Sequence, residues 1–199
     1  MSGPLCIKIV QRPFPGEVVS GDGCQMIELE DGALLVVVDA LGHGPAAAEV
    51  AALALKTATR SARLGLTQVL ATVDGELRGT RGVVAALARF WIRERKVSWA
   101  SIGDVQGVIA SPRGRTTLVE RSGVLGFHGH KAAPTTVAMA LTDVLCLATD
   151  GVAPDFREDI QPTLTLEAIA SRLQARLLLT DDTLAVVARW NRSSNAALQ

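Results

Sequence analysis

The chain has 199 residues, 48% of them hydrophobic and 20% charged, with 20 basic residues balanced by 20 acidic ones. That length suits a single domain, 1–199, with a core that needs no staples, and the composition excludes a disordered chain. Zero net charge excludes the basic excess that nucleic-acid binding requires, and the lack of a signal pattern or a bilayer-length apolar run argues for a cytoplasmic protein with no membrane partner.

Residues 5–10 form the first expected strand, broken by Pro13, Pro15 and Gly16. A second strand at about 24–30 turns at Asp31-Gly32 into a third at 33–39, because Asp-Gly between apolar runs is a hairpin signal. Closing the hairpin there pairs 30 with 33 and 24 with 39, which brings Asp22 and Asp39 to the same end of the sheet. Gly42 and Gly44 mark a tight loop, and Pro45 opens a helix to about 63. That helix has Ala47, Val50, Ala51, Ala54 and Ala58 on one face and Glu49, Lys56, Arg60 and Arg63 on another. A second helix, about 67–78, turns Val69, Leu70, Val73 and Leu77 inward.

Apolar runs at 83–92, 97–102, 105–111 and 115–120 read as an antiparallel meander with short breaks, the charged tip 93–96 among them. A Gly- and His-rich loop, 123–134, leads to strands at 136–140 and 144–149 joined by Leu141-Thr142-Asp143. A Pro-punctuated connection, 152–163, precedes a helix at about 165–178, capped by Thr165, with Leu166, Ile169, Leu173 and Leu177 inward. The last strand runs from Leu184 to Trp190, and the polar tail 191–199 is expected to fray. Cys6, Cys24 and Cys146 form no CxxC pair and read as reduced core thiols. Strands grouped together, with helices after the third and before the last, predict an α+β fold: two packed antiparallel β-sheets flanked by helices, an αββα sandwich.

Asp22, Asp39, Asp150 and Asp181 or Asp182 each lie at a strand boundary. Taken alone, Asp39 suits an ordinary strand–turn–helix joint equally well; a second strand ending the same way, at Asp150-Gly151, shifts the reading toward one shared metal centre. Hard divalent cations take such oxygen ligands and keep several waters besides. His128 and His130 lack the second ligand pair that zinc would need.

The ordered set Ser20-Gly21-Asp22, Val38-Asp39-Ala40-Leu41-Gly42-His43-Gly44, Ile102-Gly103-Asp104, Gly123-Val124-Leu125-Gly126, Leu145 through Gly151 with Asp143 ahead of it, and Asp181-Asp182 resembles the metal-dependent PPM protein phosphatases, in particular their SpoIIE-like branch. The resemblance implies a hydrolase of phosphoserine and phosphothreonine, with two Mn²⁺ or Mg²⁺ ions and a metal-bridging water as nucleophile. Asp39 would bridge the ions and Ala40 would lend its carbonyl. Asp150 and Asp181 would hold the first ion and Asp22 the second, Asp39 and Asp150 thus serving catalysis through the metal-bound water. Asp104 matches a residue that helps hold a third ion in some members, and a one-residue slip would put Asp182 in place of Asp181. Ala40 stands where Gly is usual, Leu41 where eukaryotic members carry a His, and Leu184 where Thr is common. A domain whose first strand begins at residue 5 further resembles the stand-alone RsbX feedback phosphatases. That implies phosphorylated stressosome scaffold proteins of the RsbR and RsbS kind as partners. Two other readings stand beside it: a pseudophosphatase that binds a phosphoprotein without turnover, and a hydrolase of some small phosphate ester.

Overall fold

The computed structural model describes residues 3–127 and 132–191. In chain order its elements are β1 (Leu5–Arg12), β2 (Asp22–Leu29), β3 (Gly32–Ala40), α1 (Pro45–Ser61), α2 (Leu66–Glu76), β4 (Val83–Trp91), β5 (Lys96–Ile102), β6 (Gln106–Ser111), β7 (Gly114–Thr117), β8 (Thr135–Ala138), β9 (Val144–Ala148), α3 (Leu166–Gln174) and β10 (Thr183–Trp190), with a short 3₁₀ helix at Pro154–Asp159. The strands form two five-stranded sheets, ordered β1-β10-β9-β6-β7 and β2-β3-β4-β5-β8, and every pairing is antiparallel.

The period-two alternation of strand side chains divides the apolar residues among three cores. On β3, Leu34, Val36, Val38 and Ala40 face α1 and α2, where Ala47, Ala51, Ala54 and Ala58 let the helix approach the sheet closely. Leu35 and Val37 point the other way, into a core between the sheets shared with Leu145, Leu147, Leu184 and Val186. On β9, Val144, Cys146 and Ala148 pack beneath Leu166, Ile169 and Leu173 of α3. The layers run helix, sheet, sheet, helix, as expected. Phe90 of one sheet meets Trp190 of the other edge-on, ring centroids 5.3 Å apart, a geometry aromatic quadrupoles favour. Among the described residues no helix is long and apolar enough to cross a membrane.

Four expectations need correction. The β2–β3 hairpin turns at Glu30-Asp31, so Leu29 pairs with Gly32 and Asp22 stands directly opposite Asp39. Gly32 is inside the strand, with φ +154, because a Cβ there would run into the Phe90 carbonyl of β4; the glycine serves strand approach, not the turn. The stretch from β4 to β7 is no simple meander, since Gly103-Asp104-Val105 carries the chain from one sheet to the other, as Leu141–Asp143 does between β8 and β9. Cys6 is exposed and Cys24 half-buried, leaving Cys146 alone fully in the core. Cys6 shares the outward face of the edge strand β1 with Lys8, whose ammonium reaches Glu167 on α3. Lastly, α3 stops at Gln174, short of 178, although Leu177 is buried as expected. Thr165 caps it by accepting from the Ala168 amide at 3.2 Å. His128, His130 and the tail from 192 onward lie outside the described residues.

Candidate metal centre

The site forms where the end of one sheet meets the end of the other. Odd-numbered β3 residues face the inter-sheet core, and that alternation carries on to Asp39, with Asp22 paired directly across from it. On β9 the inward set is Leu145 and Leu147, and the next inward position is Thr149. Its hydroxyl crosses between the sheets to donate to Asp22 Oδ2 at 2.7 Å and accepts the Leu184 amide of β10 at 2.9 Å. One hydroxyl thus ties β2, β9 and β10 together at the point where the carboxylates gather.

Burial pushes Asp39 up to about 9, and the charges of Asp22, Asp150, Asp104 and Asp181 add to it. Asp22 is pushed up to about 7, again chiefly by burial; Thr149's hydrogen bond opposes this, and Asp182, Asp150 and Asp181 reinforce it. Asp150, at the exposed mouth, is raised by desolvation and then by Asp104 and Asp181. Asp39 thus feels Asp22, Asp150, Asp104 and Asp181, and Asp22 feels Asp182, Asp150 and Asp181, charges drawn from two sheets and from the Gly103–Val105 crossing.

Asp182 has a different task from its neighbours. Its Oδ1 accepts the Phe14 amide at 2.7 Å and its Oδ2 the Gly21 amide at 2.8 Å, so each oxygen helps to pin the β1–β2 loop. Asp181 Oδ1 accepts the Asp182 amide, and its other oxygen has no hydrogen-bond partner among the described residues. Ala40 has an ordinary strand backbone, since Arg95 is the one non-glycine with positive φ among the described residues. Its amide donates to the Gly21 carbonyl at 3.1 Å. Asp104 is exposed, lining a cavity of about 420 Å³ with Glu120, Ser122 and Gly123.

Among the described residues, no three His, Cys, Asp or Glu side chains are drawn tightly enough together to enclose a metal by themselves. A hydrated divalent ion does not need them to be, because Mg²⁺ binds through one or two carboxylates and retains water. Asp22 Oδ1 is buried with no hydrogen-bond partner among the described residues. A buried carboxylate oxygen left unpaired beside other carboxylates is costly, and an oxygen-seeking cation satisfies it. The donor set fits such an ion.

Thr149 and the pinning role of Asp182 were not anticipated from sequence. Extending the β9 alternation one residue past Leu147 places Thr149 inward, but its partner across the sheets is visible only in three dimensions. His43 also has unexpected company: its ring stacks on Phe14, centroids 4.0 Å apart, and its Nδ1 lies 3.0 Å from Glu17 Oε1.

Two antiparallel sheets between helices, with acidic strand ends at one edge, are the arrangement that solved PP2C phosphatase domains share with this chain. The chain belongs to the Stage II sporulation protein E (SpoIIE) family, whose profile matches residues 30–192. It is similar to the phosphoserine phosphatase RsbX of Bacillus subtilis (strain 168), at 23% identity over 168 residues, 83% of this chain and 84% of that one. A solved structure of RsbX in complex with magnesium superposes with a TM-score of 0.87 at 21% identity, covering 96% of this chain and 98% of the other. A chain solved in work on the bacterial stressosome, described as a modular system adapted to control secondary messenger signaling, is 30% identical with a TM-score of 0.85, covering 93% and 99%. The PP2C domain of SpoIIE from Bacillus subtilis shares the fold at 15% identity, with a TM-score of 0.77 over 94% of this chain and 64% of the other.

Proposed function

We propose that the chain is a divalent-metal-dependent phosphatase acting on phosphoserine or phosphothreonine in proteins. The observation that carries this is the gathering of Asp22, Asp39 and Asp150 within one another's field, with a buried Asp22 oxygen left unpaired. Bound there, Mg²⁺ or Mn²⁺ supplies the acidity that makes water a nucleophile toward a phosphoester and screens the substrate's charge. In this reading Asp39 would serve two ions, with Asp150 and Asp181 toward the first, Asp22 toward the second and the Ala40 carbonyl as a further oxygen, each directly or through retained water. Asp104 stands ready for a third. Asp181 is preferred to Asp182, whose oxygens each already accept an amide of the β1–β2 loop. Thr149 orients Asp22, and Asp182 orients the loop that carries Gly21 and, through Ala40's amide, the strand end at Asp39.

The likeness to RsbX and to the stressosome chain supports phosphorylated stressosome scaffold proteins of the RsbR and RsbS kind as substrates. A cytoplasmic location follows from such substrates. The test is hydrolysis of an aryl phosphate and of phosphoserine peptides with added Mn²⁺ or Mg²⁺. Asp39→Asn and Asp150→Asn are each expected to lower metal-dependent turnover by more than the roughly 10–100-fold that outer-shell changes cost. Full activity in Asp150→Asn would refute the ligand assignment, and absence of turnover in the parent at every metal concentration would leave a phosphoprotein-binding module.

A further inference from the structure

Three loops surround the acidic cup, and the chain stitches them to one another. The β1–β2 loop is joined to the segment before β10 at two places. Asp182 accepts the Phe14 and Gly21 amides, and the Arg12 guanidinium donates to the Leu177 and Leu178 carbonyls. The same loop is joined to the β3–α1 loop by the Ala40 amide on the Gly21 carbonyl and by His43, which stacks on Phe14 and reaches Glu17. The β3–α1 loop in turn donates its Leu41 amide to the Gly82 carbonyl, and Gly82 lies against Val124 and Phe127. The result is one continuous rim.

That rim carries most of the large apolar side chains the surface exposes. Of nine among the described residues, Val18, Val19, Leu41, Phe127, Leu178 and Leu179 sit on it, and only Ile9, Leu64 and Val119 lie elsewhere. Val18 is 89% exposed and Leu179 69%. Isolated exposed apolar residues need no explanation, but a concentration around a charged cup, interspersed with Glu17, His43 and Arg81, has the make-up of a protein-binding patch. A small phosphate ester would leave these side chains in water.

We infer that the rim is the docking surface for the segment of a partner protein that bears the phosphoserine, and that it favours aliphatic residues flanking the phosphorylated one. The inference rests on the phosphatase reading: the rim is continuous with the cup proposed to take the phosphate, so a segment delivering that group must lie across it.

The experiment compares two peptides that carry a non-hydrolysable phosphonate in place of phosphoserine, one flanked by Leu and Val and one by Ser and Gly. Binding is measured by fluorescence anisotropy with Mg²⁺ present. Wild-type protein is expected to bind the aliphatic peptide about tenfold more tightly, the effect of burying roughly one such side chain. The Val18→Ser/Leu179→Ser double variant, whose folding is verified by thermal melting, is expected to bind both alike. Equal binding of the two peptides by the wild type, binding of neither, or a preference that survives in the double variant overturns the inference. Phosphate release from the matching phosphoserine peptides is followed separately; a binding preference without release would support the docking surface and refute the phosphatase reading.

Discussion

Asp22 and Asp39 face each other across the β2–β3 pair, and the protein keeps them there at an electrostatic cost. Both have folded-state values above the ordinary 3.8, about 7 for Asp22 and about 9 for Asp39, with burial as the first cause. The metal-free folded chain therefore holds protons that the unfolded chain has already released. This contribution to stability is complete below about pH 4 and is lost as pH rises through about 7 and then about 9. If the proposed divalent ion replaces those protons, Mg²⁺ is expected to raise the melting temperature more at about pH 9 than at about pH 5; thermal melts with EDTA and with Mg²⁺ at both values check this. Thr149→Val deletes the hydroxyl that serves Asp22 and Leu184 together. It should cost about 1–3 kcal/mol in urea unfolding, with Thr149→Ser recovering most of it. NMR titration of the metal-free variant should find Asp22 higher still, because the Thr149 hydrogen bond is what lowers it.

At the scale of elements, the crossings between sheets position the site. Gly103 opens the passage from β5 to β6 with φ +102, and a Cβ there would strike the Val84 side chain. Its amide donates to the Arg121 carbonyl at 2.7 Å. Gly103→Ala is expected to destabilise the protein by about 1–3 kcal/mol through backbone strain, read as a lower denaturant midpoint with an unchanged slope. In the sequence this Gly-Asp pair looks like another hairpin break. Local chemistry signals a turn, but it does not say whether the next strand pairs with its predecessor or leaves for another sheet. The β2–β3 hairpin shows the same limit on a finer scale. Asp31-Gly32 announced the hairpin correctly, yet the glycine was required by a neighbour on β4 that lies nearly sixty residues away in the chain.

For the whole molecule, stability resides in three cores separated by two sheets. Phe90, fully buried between the sheets and edge-on to Trp190, belongs to the core that both halves share. Phe90→Ala should cost about 3–5 kcal/mol while leaving a single cooperative melting transition, because one inter-sheet core couples the two sheets; calorimetry provides the measurement. The amino-acid sequence alone determined which segments are strands and helices, which of their faces are apolar, and that four acidic positions fall at strand ends. Periodicity and turn chemistry are local properties, and side-chain alternation is set within each strand. Only the tertiary structure decided which strands share a sheet, that Asp22 and Asp39 pair directly, and that Asp182 pins a loop while Thr149 bridges the sheets. Asp22 and Asp39 meet through the register of neighbouring strands, whereas the contacts of Asp182 and Thr149 join segments more than a hundred residues apart that only tertiary packing brings within hydrogen-bonding distance.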